Sequence, residues 1–224
     1  MTFSIVARCS RTGMFGVAVS SSSPAVAARC AYAQAGVGAV ASQNVTDPTL
    51  GTRGLELMAR GASASEAVAI LKRTGAHAEY RQVLAVDAAG GSAIHSGPKA
   101  LGIWAEAHAE NVACGGNLLA NDRVPQAMVD TFLASQGELG DRLIATMQAA
   151  LKAGGEAGPV RSAGMRLVRE VSWPVADLRC DWTEGCPIEE LAKLWDIYKP
   201  QLDAYVTRAI NPSDAPSYGV PGDE

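Results

Sequence analysis

The chain has 224 residues, a formal net charge of −4, and Asp, Glu, Lys and Arg at 19% of its positions. That length supports one domain with a large core, and the mildly acidic balance leaves no basic surface for nucleic acid. No stretch reaches the ~18 uncharged apolar residues of a membrane span, since Arg29 and several serines interrupt the nearest one, residues 16–41.

Residues 3–8 read as a first strand, Arg11-Thr12-Gly13 as a turn and residues 15–20 as a second strand. Small residues fill 24–35, and a third strand follows at 36–42. Asp47-Pro48 starts a turn, and Asp47 or Thr49 caps a helix that carries Leu50, Leu55, Leu57 and Met58 and stops at Gly61. Ser63 and Glu66 form a capping box, in which each side chain satisfies the other's orphan backbone donor, and the helix they open runs through Leu71. Residues 81–87 and 92–96 form a hairpin closed by a tight turn at 88–91. A strand over 110–114 leads into a Gly115-Gly116-Asn117 loop. Pro125 suits the first turn of a helix ending near Ser135. Leu139, Leu143, Ile144, Met147 and Leu151 recur at helical spacing within 138–153. A loop at 154–159 precedes a second hairpin with arms 162–171 and 175–181, and one long helix covers 187–210.

Paired strands with helices grouped between them predict an α+β fold, with two antiparallel sheets face to face and helices outside. The expected architecture is a four-layer αββα sandwich over residues 1–210, followed by a proline-rich tail at 211–224. Cys9, Cys30, Cys114, Cys180 and Cys186 contain no C-x-x-C pair, so buried reduced thiols are expected. With no signal peptide ahead of Thr2, a cytoplasmic protein is expected. His77, His95 and His108 are too dispersed for a zinc motif, and neither a metal nor a cofactor is expected. Gly36-Val-Gly38-Ala-Val-Ala41 matches the dinucleotide pattern, but here the glycines open a strand rather than a helix.

The second residue carries the most specific chemistry. Methionine aminopeptidase generally trims Met before a residue as small as Thr, which would leave Thr2 free at the tip of the first strand. An N-terminal threonine holds a hydroxyl nucleophile beside its own base, an α-amine with a reference pKa of ~8. If the first two strands pair as a hairpin, the serines at 20–23 lie beside Thr2.

Thr2-Phe-Ser-Ile-Val-Ala-Arg8, Gly16-Val-Ala-Val-Ser-Ser21, Ala35-Gly-Val-Gly-Ala-Val-Ala-Ser-Gln43, Arg53-Gly-Leu-Glu-Leu57, Gly116-Asn117-Leu-Leu-Ala120 and Ala176-Asp-Leu-Arg179 together resemble one bacterial family. It is the domain of unknown function 1028, placed in the N-terminal nucleophile (Ntn) hydrolase superfamily. The resemblance spans nearly the whole chain, tail included, and implies an αββα fold with Thr2 as nucleophile. It implies no substrate. The chain departs from the family at Gly158-Pro-Val-Arg161-Ser162, where a basic Arg-Gly-Arg-Gln-Ser run is usual and only the Arg and Ser are kept.

The expected activity is amidohydrolysis of a small-molecule amide, with Thr2 attacking and Asn117 and the backbone N–H groups near Ser21 and Ser22 holding the oxyanion. Ser21, Ser22, Arg53 and Arg161 are candidate substrate contacts, the arginines for a carboxylate. Two other classes remain open: a non-catalytic small-molecule-binding or scaffold protein on the same fold, and an enzyme using Ser22 or Cys114. The apolar helix at 138–153 could equally well build a homodimer face as a core.

Overall fold

The structure, a computed structural model, describes residues 1–223. In chain order its main elements are β1 (Thr2–Arg8), β2 (Phe15–Ser21), α1 (Ala27–Cys30), β3 (Ala31–Gln34), β4 (Gly38–Asn44), α2 (Thr49–Ala59), α3 (Ala64–Thr74), β5 (Arg81–Asp87), β6 (Ser92–Ser96), β7 (Ala105–Ala109), β8 (Val112–Asn117), α4 (Val124–Ala134), α5 (Leu139–Lys152), β9 (Ser162–Val168), β10 (Ala176–Cys180), α6 (Pro187–Tyr198) and α7 (Leu202–Ile210).

Six strands make one antiparallel sheet in the order β10-β9-β2-β1-β8-β7, and four make a second in the order β3-β4-β5-β6. β1 is central, and alternation sends its side chains to two different cores. Val6 joins Val17, Val19, Ala41, Leu84, Val86 and Ala113 between the sheets. Phe3, Ile5 and Ala7 face the other way, into a core with Met128, Phe132, Leu143, Met147, Leu191 and Trp195 of α4, α5 and α6. Val40, Val83 and Ala85 point outward from the smaller sheet onto Leu50, Leu55, Met58, Val68 and Leu71 of α2 and α3. The result is the expected αββα sandwich.

Local signals place several of these elements. The capping box forms, with Ser63 accepting from Glu66 N–H and Glu66 accepting from Ser63 N–H. Asp87 closes the β5–β6 turn by accepting N–H groups of Ala89 and Gly91, and its other oxygen takes Ala64 N–H at the head of α3. Gly38 is needed for packing rather than for phosphate, because a Cβ there would lie 2.5 Å from the Val86 carbonyl oxygen. Gly140 lets α5 approach α6, since a Cβ would lie 2.3 Å from Cζ2 of Trp195.

Four expectations change. Residues 24–35, read from sequence only as a run of small residues, hold the short α1 and the edge strand β3. β7 was not foreseen, because Ala-Glu-Ala-His-Ala has no β-branched residue and exists by pairing with β8. Gly115, Gly116 and Asn117 complete β8 instead of forming a loop. The final helix is broken at a 3₁₀ turn, Lys199–Gln201, where Pro200 lacks the N–H that a continuous helix requires.

Candidate active site

Thr2 opens β1 in register with two neighbours, Ser21 on β2 and Asn117 on β8. All three therefore lie side by side at one end of the space between the sheets, which the hairpin register dictates. Thr2 is 6% exposed, and its hydroxyl lies 3.2 Å from Oγ of Ser21. The Ser21 hydroxyl also donates to the carbonyl oxygen of Met1, and 2.8 Å separates it from Oγ of Ser23. Arg29 donates to that Ser23 oxygen at 2.6 Å.

Beneath Thr2 runs a buried polar chain. Ser4 donates to Gln43 at 2.6 Å, Gln43 to Gln82 at 2.7 Å, and Asn117 Nδ2 to the same Gln82 oxygen at 3.3 Å. Gln82 spends its own amide on Ser96 and the Gly116 carbonyl. Ser4, Gln43 and Gln82 are fully buried, so each pairing spares a desolvation penalty of roughly 1–3 kcal/mol. An amide nitrogen carries two protons. Gln82 takes one of Asn117's, and no described residue takes the other.

Glu156 lies beside Ser22. Its loop lies against the residues that follow β8, through an isolated bridge between Glu156 and Leu119. Oε2 accepts the Ser22 N–H at 3.2 Å, whereas Oε1 is buried without a hydrogen-bond partner. Burial pushes this carboxyl up to about 7, against the pull of the N-terminal ammonium and of Ser22. Of five non-glycine residues with positive φ among the described residues, Ala25, Asn44 and Leu118 lie at this end, with φ values of 49°, 78° and 50°, while His77 and Asn111 lie elsewhere. Each such residue costs about 1–3 kcal/mol and persists where surrounding structure holds it, a pattern common at functional sites.

The sequence-predicted residues thus divide. Thr2, Ser21 and Asn117 are brought together, and Ser22 stands next to them. Its N–H is already engaged by Glu156, however, so it is not a free oxyanion donor. Arg161 reaches the site only through its backbone, donating to the Ser21 carbonyl at 2.8 Å. Its guanidinium pairs with Glu184 at 2.8 Å. Arg53 is not part of the site. It sits on α2, on the far side of the smaller sheet, and donates to Thr74 at 2.9 Å. Cys114 projects into the helix-covered core, where burial holds its thiol well above the ordinary value. Glu156 was missed altogether; only its place in a Gly-Gly-Glu loop sets it apart in the sequence.

A cavity of about 220 Å³ opens near Cys9, Arg11, Met14 and Trp195. It lies at the opposite end of β1 from Thr2, roughly 20 Å along the strand. Two of its cations are already paired, Arg169 with Asp203 and Lys199 with Asp141, each at 2.7 Å. It is separate from the Thr2 site. Among the described residues, no group of three or more His, Cys, Asp or Glu side chains is placed to hold a metal ion. No helix among them is long and apolar enough to cross a membrane.

Comparison with known proteins places this architecture. A family model described as a family of unknown function, DUF1028, matches residues 2–191. The chain belongs to DUF1028. Within the family, protein SPO2555 from Silicibacter pomeroyi has a crystal structure that superposes with a TM-score of 0.82 at 28% identity, over 88% of this chain and 89% of that one. Anbu (ancestral beta-subunit) from Yersinia bercovieri aligns at a TM-score of 0.39 and 12% identity, over 91% of this chain and 97% of its own. No curated protein matches the chain. The DUF1028 match covers every strand and the Thr2, Ser21, Asn117 and Glu156 positions, and leaves α7 and the tail outside.

Proposed function

We propose that this DUF1028 protein is an Ntn-type amidohydrolase that cleaves a small amide, or a related C–N bond, by acyl transfer to Thr2. The observation that carries the proposal is the gathering of a hydroxyl nucleophile, a carbonyl-binding hydroxyl and a half-used amide at one strand end. Ser21 already donates to a carbonyl oxygen beside Thr2, that of Met1. Asn117 has a second N–H to offer the oxyanion, and a donor of this kind is worth roughly 3–4 kcal/mol in the transition state.

The chemistry requires Thr2 as the first residue, because Met1 ties up its nitrogen as an amide. Once Met1 is gone, the Thr2 α-amine accepts the hydroxyl proton, directly or through one water, as Oγ attacks the carbonyl. Water then releases the acyl group. No metal or redox cofactor takes part in such a sequence. The five free cysteines are compatible with a reducing, cytoplasmic setting.

Intact mass tests the proposal. The untagged protein is exposed to an electrophile that traps N-terminal threonine, alongside Thr2→Ala. Loss of Met1 with a single adduct that Thr2→Ala lacks is the expected result. Retained Met1 without an adduct would sink the proposal and bring a non-catalytic binding role forward.

A further inference from the structure

Glu156 has no evident structural duty for half of its carboxylate. Asp87, an acid 7% exposed, uses both oxygens to hold a turn and a helix terminus, accepting three backbone N–H groups at 2.7–2.9 Å. Glu156, 5% exposed, accepts only the Ser22 N–H and keeps Oε1 buried and unpartnered. The fold nonetheless fixes its backbone firmly. Gly155 N–H donates to Ala150 at 2.9 Å, Ala120 N–H to Gly155 at 3.0 Å and Ala157 N–H to Leu118 at 3.0 Å. Gly154 and Gly155 adopt φ values of 123° and 59°, which the sharp turn into Glu156 requires. Two residues on, the Gly158 backbone lies against Met1, where an added Cβ would sit 3.1 Å from Cε of Met1.

We propose that Glu156 is the positioning residue for the Thr2 α-amine, holding it beside the Thr2 hydroxyl through Oε1 and sharing its proton. This rests on the assignment of Thr2 as nucleophile. The chain-end ammonium, that of Met1 in this structure, already acts on the Glu156 carboxyl, and with Met1 removed the Thr2 α-amine takes over as the chain-end cation. The other charges on neighbouring segments are engaged elsewhere: Arg29 with Ser23 at 2.6 Å, and Arg161 with Glu184 at 2.8 Å. Burial lifts the Glu156 carboxyl to about 7 while the chain-end ammonium pulls it down, and an interaction of this kind links the titrations of the two groups. During attack the Thr2 hydroxyl proton passes to the amine, Oγ bonds to the carbonyl carbon and the C=O pair moves onto oxygen. Glu156 holds the ammonium so formed. Its proton goes to the leaving nitrogen as the C–N bond breaks, and water repeats the cycle on the ester.

The test uses the full chain released from an N-terminal fusion with Thr2 as its first residue, and 4-nitrophenyl acetate as probe. The Thr2-dependent rate, taken as the difference from Thr2→Ala, is followed from pH 5.5 to 9. Expected are two linked ionisations in the wild type, one fewer in Glu156→Gln with about tenfold lower rate at pH 7, and partial rescue in Glu156→Asp. A Glu156→Gln profile and rate within twofold of wild type, with Thr2→Ala silent, overturns the role of Glu156 and leaves Thr2 standing. Full reaction in Thr2→Ala overturns the nucleophile itself. If Glu156→Gln fails to fold, ¹³C titration of the glutamate carboxyls decides. The resonance titrating near 7 must move upward when the α-amine is acetylated, and an unchanged titration overturns the pairing.

Discussion

Replacing Glu156 by Gln should change how stability depends on pH, with a sign set by burial. The carboxyl lies at 4.5 in its ordinary state and at about 7 in the folded protein, raised by desolvation. A raised acid binds its proton more tightly when folded, so the unfolded state gains relative stability as pH rises from 4.5 through 7. At about 1.4 kcal/mol per pH unit, the gap amounts to roughly 3 kcal/mol lost by pH 8. Glu156→Gln keeps the shape and cannot ionise. It should therefore match the wild type near pH 4.5, apart from a constant offset, and exceed it by about 3 kcal/mol at pH 8. For a chain of this size that is a Tm gain of roughly 6–12 °C. Thermal melts of both proteins at pH 4.5, 6, 7 and 8 read the difference directly. A difference that stays constant across that range would refute the buried, ionising carboxyl and the proton-sharing built on it.

Asn117→Ala removes the proposed oxyanion donor while Gln43 continues to satisfy Gln82; Thr2-dependent ester cleavage should fall about 10²–10³-fold. Gln82→Ala leaves Asn117, Ser96 and the Gly116 carbonyl without a shared partner and should cost about 3 kcal/mol, measured as a lower urea midpoint. Gly140→Ala drives a methyl against Trp195 and should destabilise by about 1–3 kcal/mol in the same assay. Arg53→Ala should leave ester cleavage within about twofold, because surface substitutions away from a site act weakly; a larger loss would return Arg53 to the site.

Much of the fold was legible because its signals are local. Ser63 and Glu66 cap α3 through bonds within four residues, and Pro125 marks the start of α4 by what its own ring removes. The hairpin of β1 and β2 likewise placed Ser21 beside Thr2, since a short turn and period-two alternation leave one register that buries both faces. Elements that owe their existence to a partner were not legible. β7 is a strand only because β8 offers an edge, and β3 only because β4 does.

The site divides along the same line. Thr2 and Ser21 follow from chain order, strand pairing and residue chemistry; Asn117 is singled out by its amide, but its place beside Thr2 comes from the extension of β8. Glu156 does not follow from the sequence, because its burial and its raised proton affinity arise where the loop after α5 folds against the residues after β8. Arg53 shows the converse: its side chain suits a carboxylate, but only the layering of the sheets puts a whole sheet between it and Thr2. From the sequence came the proposed nucleophile, Thr2, the strand that carries it and the four-layer class. Tertiary structure decided which distant groups share its desolvated space, because burial and electrostatic coupling act through distance in space and leave no mark in local sequence.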